Sequence, residues 1–227
     1  AQHCAQPGVY DEHMVLPRMA YISDTTELGT VYTKAELTAL RAACDAHGLY
    51  LYLDGARLAQ ALTAAGNDLR PEDLPQLCDA FYIGGTKNGL TFGEAMVIVN
   101  DALKPGFRRA MKRSGAMLAK GRLLGVQFAA ALEQDLWLDM GRHANAQAQR
   151  IAAALSNLGV PMYVPSPTNQ IFPILPDDQI ARLQERVAFH TNTRVDETHQ
   201  AVRFVTSWAT TDAQVDALLA VLNEVLG

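Results

Sequence analysis

Short apolar runs, separated by polar segments that contain glycine, dominate the first half of the sequence. They stand at residues 19–23, 49–53, 81–83 and 95–99. The run at 49–53 carries no charge and consists of leucine and tyrosine, which is typical of a strand covered on both faces in a parallel sheet. The pattern predicts a sheet of short strands in this part of the chain.

A helical pattern lies between the first two of these runs. Thr33 and Glu36 have the spacing of a capping box, and the apolar residues 37, 40, 43 and 44 that follow share one helical face. The order strand, capped helix, strand indicates a βαβ crossover, and therefore an α/β fold.

The pattern changes after the fourth run. Helices are predicted at residues 101–112, 117–132 and 136–158. Short β-prone runs follow at residues 160–164, 171–175 and 201–206. Two helices are predicted among them, at residues 178–189 and from Thr211, which forms a second capping box with Gln214. This alternation indicates a small α+β unit. We therefore expect a large domain comprising residues 1–135 and a small C-terminal domain comprising residues 136–227.

The composition narrows the function to small-molecule chemistry. The 227 residues are 49% hydrophobic, and 19 basic and 24 acidic residues give a formal charge of -5 without a long block of either sign, which favours neither nucleic acid nor a membrane surface. Three cysteines without metal-ligand spacing indicate a reducing compartment, by default the cytoplasm, and no metal site. Residues 1–19 show no period and are expected to be irregular, with neither a signal pattern nor a membrane span.

One candidate site lies directly after the run at 49–53. Asp54, Gly55, Ala56 and Arg57 place an acid and a base at the end of an apolar strand, where ligands bind in open α/β sheets. The alternative interpretation is an ordinary strand-to-helix turn in which Asp54 caps the next helix.

Two further residues carry candidate chemistry. Lys87 stands 33 positions after Asp54, in a glycine-rich turn between two apolar runs, where burial would favour the uncharged, nucleophilic amine of Schiff-base chemistry. The alternative is a solvated lysine at a hairpin tip. Arg203 lies within an apolar strand, so it requires an anion, either an internal acid or an anionic substrate.

Together these motifs resemble those of the pyridoxal-phosphate enzymes of fold type I, and within them the threonine aldolase and aromatic amino-acid β-eliminating lyase group. The likeness extends over nearly the whole chain, through residues 22–29, 54–57, 84–89, 115–121, 168–170 and 202–208. It implies that residues 1–135 are part of a PLP-transferase large domain with a mostly parallel sheet and flanking helices.

The resemblance also implies a role for each candidate residue. Lys87 would hold the aldehyde of pyridoxal 5′-phosphate and later carry a proton, and Asp54 would keep the ring nitrogen protonated. Thr86 would donate to the cofactor phosphate. Arg57 would bind the cofactor and orient the substrate amino acid. Arg203 would take the substrate carboxylate in a fork of two hydrogen bonds.

Two departures from the family pattern affect what can be expected. Thr26 stands where threonine aldolases place a histidine near the substrate hydroxyl, so Thr26 is the substrate-binding candidate there. The sequence before residue 19 also lacks the phosphate loop and the ring-stacking side chain of these families, so we expect an N-terminal segment to be missing.

The expected function is a lyase that cleaves a β-hydroxy amino acid, as threonine aldolases do, giving glycine and an aldehyde. One alternative is β-elimination from an aromatic or β-substituted amino acid. Another is a catalytically silent chain with a structural or dimerising role. The resemblance implies a homodimer or homotetramer.

Overall fold

The structure, a computed structural model, describes residues 15–227. Residues 1–14, most of the stretch expected to be irregular, lie outside the described residues. The first sheet has four strands in the order β1-β2-β3-β4, namely β1 (Met19–Ser23), β2 (Tyr50–Asp54), β3 (Ala80–Ile83) and β4 (Ala95–Ile98). The first three strands are parallel and β4 is antiparallel to β3.

Helices connect and flank these strands. Between residues 15 and 227 the α-helices are α1 (Lys34–Ala46), α2 (Leu58–Leu62), α3 (Leu74–Leu77), α4 (Phe107–Arg113), α5 (Arg122–Leu132), α6 (Leu136–Asn157), α7 (Asp177–Gln184) and α8 (Asp212–Leu226). Short 3₁₀ turns stand at Pro71–Asp73, Asp101–Leu103 and Glu133–Asp135. None of the helices in this described part is long and apolar enough to cross a membrane.

Local signals explain where several helices begin and end. Both predicted capping boxes are confirmed, with Thr33 starting α1 and Thr211 starting α8. The prediction of a single helix at residues 101–112 is wrong. The chain is interrupted at Pro105 and Gly106, because proline lacks a backbone N–H and Gly106 adopts a φ of 76°.

The first sheet buries one face more completely than the other. Leu51 and Leu53 of β2 are fully buried in the core, whereas Tyr50 and Tyr52, which alternate with them, are only half-buried. The expectation that β2 is covered on both faces is therefore wrong for the described chain. In the adjoining β1, Tyr21 lies on the more open face and is exposed.

The C-terminal part forms a second, antiparallel sheet. Its strands are β5 (Gln170–Ile171), β6 (Ile174–Pro176), β7 (His190–Arg194) and β8 (His199–Val205), and β8 pairs with each of the other three. The helix expected at residues 178–189 is shorter, because α7 ends at Gln184 and β7 follows. The sequence of β7 is polar and mostly exposed, so no alternation of apolar residues indicated a strand.

Helix α6 contributes to the cores of both parts. Its first turn places Trp137 in the core beneath the first sheet, and Ile151 and Leu155 pack in the core beneath the second. The helix begins at Leu136, next to the expected domain boundary at residue 135. The division of the chain at that residue stays a prediction.

Candidate active site

The candidate site lies at the carboxyl edge of the first sheet. Asp54 is the last residue of β2, and it pairs in register with Ser23 at the end of β1. The backbone N–H of Asp24 donates to the Asp54 carbonyl over 3.0 Å, which joins the loop after β1 to the end of β2. The parallel strands thus bring two polar strand ends together, and Asp54 stands at a strand end as the sequence predicted.

Three donors from the described part of the chain hold the Asp54 carboxylate. The hydroxyls of Tyr21 and Tyr82 each donate to one carboxylate oxygen, and the N–H of Ala56 donates to Oδ1 over 3.0 Å. Burial acts to raise the pKa of Asp54, but these hydrogen bonds and the positive charge of Lys87 outweigh it and hold the pKa below its usual range. Asp54 is therefore ionised at neutral pH.

The interpretation of Asp54 as a helix cap is wrong. Helix α2 begins at Leu58, its cap position is Arg57, and no side chain caps it. The Asp54 carboxylate instead accepts from Ala56, two residues on, which closes the turn after β2. This leaves the carboxylate at the sheet edge rather than at a helix terminus.

Glycines allow the Asp54 turn and the Lys87 turn to pack backbone against backbone. A Cβ on Gly55 would lie 1.8 Å from the Tyr82 carbonyl oxygen, and one on Gly84 would lie 2.5 Å from the Ala56 carbonyl oxygen. The Gly84 N–H donates to the Gly55 carbonyl over 3.0 Å. The glycines on both sides are what bring Lys87 close enough to influence Asp54.

The Gly55→Ala variant is expected to lower the free energy of unfolding by about 3 kcal/mol, since the added methyl group meets a fixed carbonyl. Gly125→Ala is a matched control, because its Cβ would meet nothing within 4 Å. The control lies within α5, where alanine is the better helix former, so it is expected to be neutral or mildly stabilising. Urea unfolding of both variants checks this, and equal effects would contradict the close-approach argument.

A buried polar network, which the sequence did not reveal, fixes the turn that carries Lys87. The Asn88 side chain is 1% exposed, donates to the Trp137 carbonyl over 2.7 Å and accepts from the Gln60 amide over 3.0 Å. The Trp137 indole N–H donates to the Gly84 carbonyl over 2.8 Å. The turn is thereby anchored to α2 and α6, two elements distant in sequence.

Lys87 itself is exposed, as is its neighbour Thr86. The expectation of a buried lysine is therefore wrong for this structure. The backbone of the turn is held by Asn88, but the two side chains before it are open to solvent. Both the lysine amine and the threonine hydroxyl are thus accessible to a ligand at the sheet edge.

Arg57 and Arg203 come together although they are far apart in sequence. Both line a cavity of about 760 Å³, whose other lining residues, with Phe189, His190 and Thr206 among them, belong to the C-terminal part. Burial, and then the positive charge of Arg203, lower the pKa of Arg57, while Glu27 and Asp54 act against this shift. Lys87 and Asp54 do not line this cavity, but Arg57 lies close enough to Asp54 for their charges to interact.

The arginine pair has no carboxylate bonded to it in the described chain. Neither Arg57 nor Arg203 forms an ion pair within residues 15–227, and the Arg203 Nε is buried without a hydrogen-bond partner there. An internal acid as the partner of Arg203, one of the two sequence interpretations, is therefore not found. The arrangement instead favours an external anion, because an unsatisfied buried donor destabilises the protein.

Within the described residues, the Thr26 hydroxyl is bonded to its own loop. This hydroxyl lies 2.7 Å from the Thr30 hydroxyl and accepts the Thr30 N–H over 3.1 Å, which stabilises the loop after β1. The Gly29 carbonyl in the same loop accepts from Ser166 over 2.9 Å and Thr168 over 2.8 Å. Thr26 shapes this loop, and its contact with a substrate stays a prediction.

Comparisons with known proteins agree with this fold. The chain belongs to the beta-eliminating lyase family, whose model matches residues 5–177. A low specificity L-threonine aldolase from Pseudomonas aeruginosa is 33% identical over 218 residues, which is 96% of this chain and 62% of that protein. The chain thus spans less than two thirds of this curated relative.

Solved structures confirm the α/β fold class. A Leishmania major threonine aldolase superimposes with a TM-score of 0.92 at 45% identity, over 96% of this chain and 64% of that one. A Thermus thermophilus aspartate aminotransferase variant reaches a TM-score of 0.67 at 18% identity, over 92% and 57% of the two chains. The second likeness concerns the fold alone.

Proposed function

We propose that the protein is a pyridoxal-phosphate-dependent lyase that cleaves a β-hydroxy amino acid, with threonine giving glycine and acetaldehyde as the favoured reaction. The observation that carries the proposal is the sheet edge, where an ionised Asp54 lies near the accessible amine of Lys87. Relatives named threonine aldolases, which match nearly the whole of this chain, support the reaction class.

The residues at the sheet edge fit the cofactor. Asp54, held ionised by its three donors, would keep a proton on the ring nitrogen. The Lys87 amine would hold the aldehyde and carry a proton, and the Thr86 hydroxyl would donate to the phosphate. When bound, pyridoxal phosphate supplies an electron sink that accepts the electrons of a bond to Cα.

The arginine pair fits the substrate carboxylate. Arg203 would bind it through two parallel hydrogen bonds, one of which would satisfy the orphaned Nε, and Arg57 would orient the bound amino acid from the Asp54 side. A fixed carboxylate determines which bond to Cα stands perpendicular to the cofactor ring. The pair would therefore select the bond that breaks.

The Arg203→Lys variant is expected to raise KM at least about tenfold, because a lysine ammonium cannot reproduce the fork of two hydrogen bonds. Arg194→Lys is a suitable control, since Arg194 is an exposed arginine of β7 in an ion pair with Asp177. Steady-state kinetics with threonine measure both variants. An unchanged KM in Arg203→Lys would remove this residue from the substrate site.

Product analysis tests the reaction itself. Glycine and acetaldehyde from threonine are expected, in equal amounts. The family description favours one second candidate, β-elimination. Pyruvate and ammonia from a β-substituted amino acid, without glycine from threonine, would support that candidate and overturn the proposed aldol cleavage.

We further propose a cytoplasmic homodimer or homotetramer, as the family resemblance implies. The exposed apolar side chains of α5, at Leu123, Val126 and Leu132, support an association of subunits. A single monomeric species at all concentrations in light scattering would contradict this proposal.

A further inference from the structure

Three tyrosines stand in a row across the open face of the first sheet. Tyr21 of β1 pairs in register with Tyr52 of β2, and their rings are stacked with centroids 5.5 Å apart. The Tyr82 ring of β3 follows at 6.5 Å from Tyr52. Asp54 lies two residues after Tyr52 on the same strand, so its side chain points to the same face.

The two outer tyrosines bond to opposite oxygens of Asp54. The Tyr21 hydroxyl donates to Oδ2, and the Tyr82 hydroxyl donates to Oδ1. Tyr52, between them, forms no hydrogen bond to Asp54 in the described structure, although its ring packs against both neighbours. The row thus has two members that contact the carboxylate and one that contacts only the rings.

We propose that Tyr21 and Tyr82 are positioning residues that orient the Asp54 carboxylate and direct its Oδ2 atom to the ring nitrogen of pyridoxal phosphate. The proposal rests on the proposed function, which gives Asp54 its cofactor role. It concerns residues outside the aspartate, lysine and arginine motifs, and it follows from how the hydrogen bonds are divided between the two oxygens.

The two oxygens differ in how many acceptor sites remain. An ionised carboxylate has about four lone-pair sites, two on each oxygen. On Oδ1, both are taken, by Tyr82 and by the Ala56 N–H. On Oδ2, Tyr21 takes one, and no other group of residues 15–227 bonds to this oxygen. A protonated ring nitrogen would therefore donate to Oδ2, beside Tyr21.

The hydroxyls also set the charge of the aspartate. Each hydrogen bond stabilises the ionised form, and in return Asp54 raises the pKa of Tyr21 to about 12 and also raises the pKa of Tyr82, where burial is the larger cause. Both tyrosines therefore stay protonated as donors at neutral pH. Loss of either hydroxyl would move the pKa of Asp54 upward and free the carboxylate to rotate.

Tyr21→Phe and Tyr82→Phe remove one hydroxyl each and keep the rings, and Tyr52→Phe is the matched control. In the cofactor-free 227-residue chain, NMR titration of the Asp54 carboxylate is expected to show a higher midpoint in the first two variants and no change in the control. The dissociation constant for pyridoxal 5′-phosphate is expected to rise about tenfold in the first two alone, as for a lost hydrogen bond to a charged group.

The two measurements separate this proposal from the proposed function. An Asp54 midpoint that stays unchanged in both outer variants, or moves equally in Tyr52→Phe, would overturn the positioning role whatever the cofactor does. Higher Asp54 midpoints in the two outer variants, with an unchanged dissociation constant for pyridoxal 5′-phosphate, would also overturn the positioning role. Higher midpoints in the two outer variants, found together with a wild-type chain that binds no pyridoxal phosphate, would confirm that the hydroxyls hold Asp54 and refute its cofactor role.

Discussion

The Lys87→Ala variant is expected to cleave threonine on the order of a thousandfold more slowly than the wild-type chain, or worse, because it removes the nucleophilic amine and a proton carrier together. Folding is not expected to suffer. The side chain is exposed, and the turn is held by the buried Asn88 rather than by the lysine. Steady-state rates and circular dichroism of the same preparation measure both effects.

A control for this variant is Lys104→Ala. Lys104 forms an exposed ion pair with Asp101, three residues earlier, and such pairs contribute little to stability. Its activity is expected to match that of the wild type. A Lys87→Ala enzyme with wild-type turnover would show that the lysine is only the tip of a solvated turn.

The second large effect concerns Asp24, a buried carboxylate within residues 22–29 to which the sequence motifs assign no role. The side chain is 1% exposed, and neither oxygen has a hydrogen-bond partner in the described chain. Burial raises the pKa of Asp24 to about 7. The nearby backbone of Tyr32 acts to lower this pKa, but it lies outside hydrogen-bond geometry with the Asp24 oxygens. Asp24 is therefore protonated in the folded chain under mildly acidic conditions.

The consequence is a chain that loses stability as the pH rises. Between the ordinary aspartate pKa and about 7, the folded chain binds a proton at Asp24 that the unfolded chain has released. The free energy of unfolding is expected to fall by up to about 4 kcal/mol across this window and to stay level above it. Aspartates with a lowered pKa, such as Asp54 and Asp79, also contribute to the free energy of unfolding. Their contribution is lost only as the pH falls below this window.

Asp24→Asn removes the titrating group and keeps its shape, so unfolding by urea is expected to depend much less on pH in this variant. Measurements at about pH 4.5 and about pH 8 compare it with the wild type and with Asp101→Asn, an exposed control. An equal loss of stability in all three proteins would mean that Asp24 does not carry the effect.

Much of this fold could be predicted because its signals are local. The capping boxes at Thr33 and Thr211 need only residues three positions apart, and both start helices in the structure. Likewise, Asp54 directly follows an uncharged apolar run, which is enough to place it at the end of a strand. The boundaries that failed, around Gly106 and before β7, depend on backbone conformation and strand pairing.

The remaining part of the site depends on contacts between distant segments. Asn88 belongs to a turn in the sequence, and only the packing of α2 and α6 shows that it is buried. Tyr21 and Tyr82 meet Asp54 because β1 and β3 flank β2, and this order of strands is not encoded in any short stretch. The exposure of Lys87 likewise becomes clear only in the folded chain.

The central claim, that Lys87 anchors the cofactor, is tested most directly by chemical trapping. The 227-residue chain is incubated with pyridoxal 5′-phosphate, reduced with borohydride, digested and mapped by mass spectrometry. One adduct is expected, on the peptide that contains Lys87, and the Lys87→Ala variant is expected to carry none. An adduct on a different lysine, or an unlabelled wild-type chain, would contradict the account.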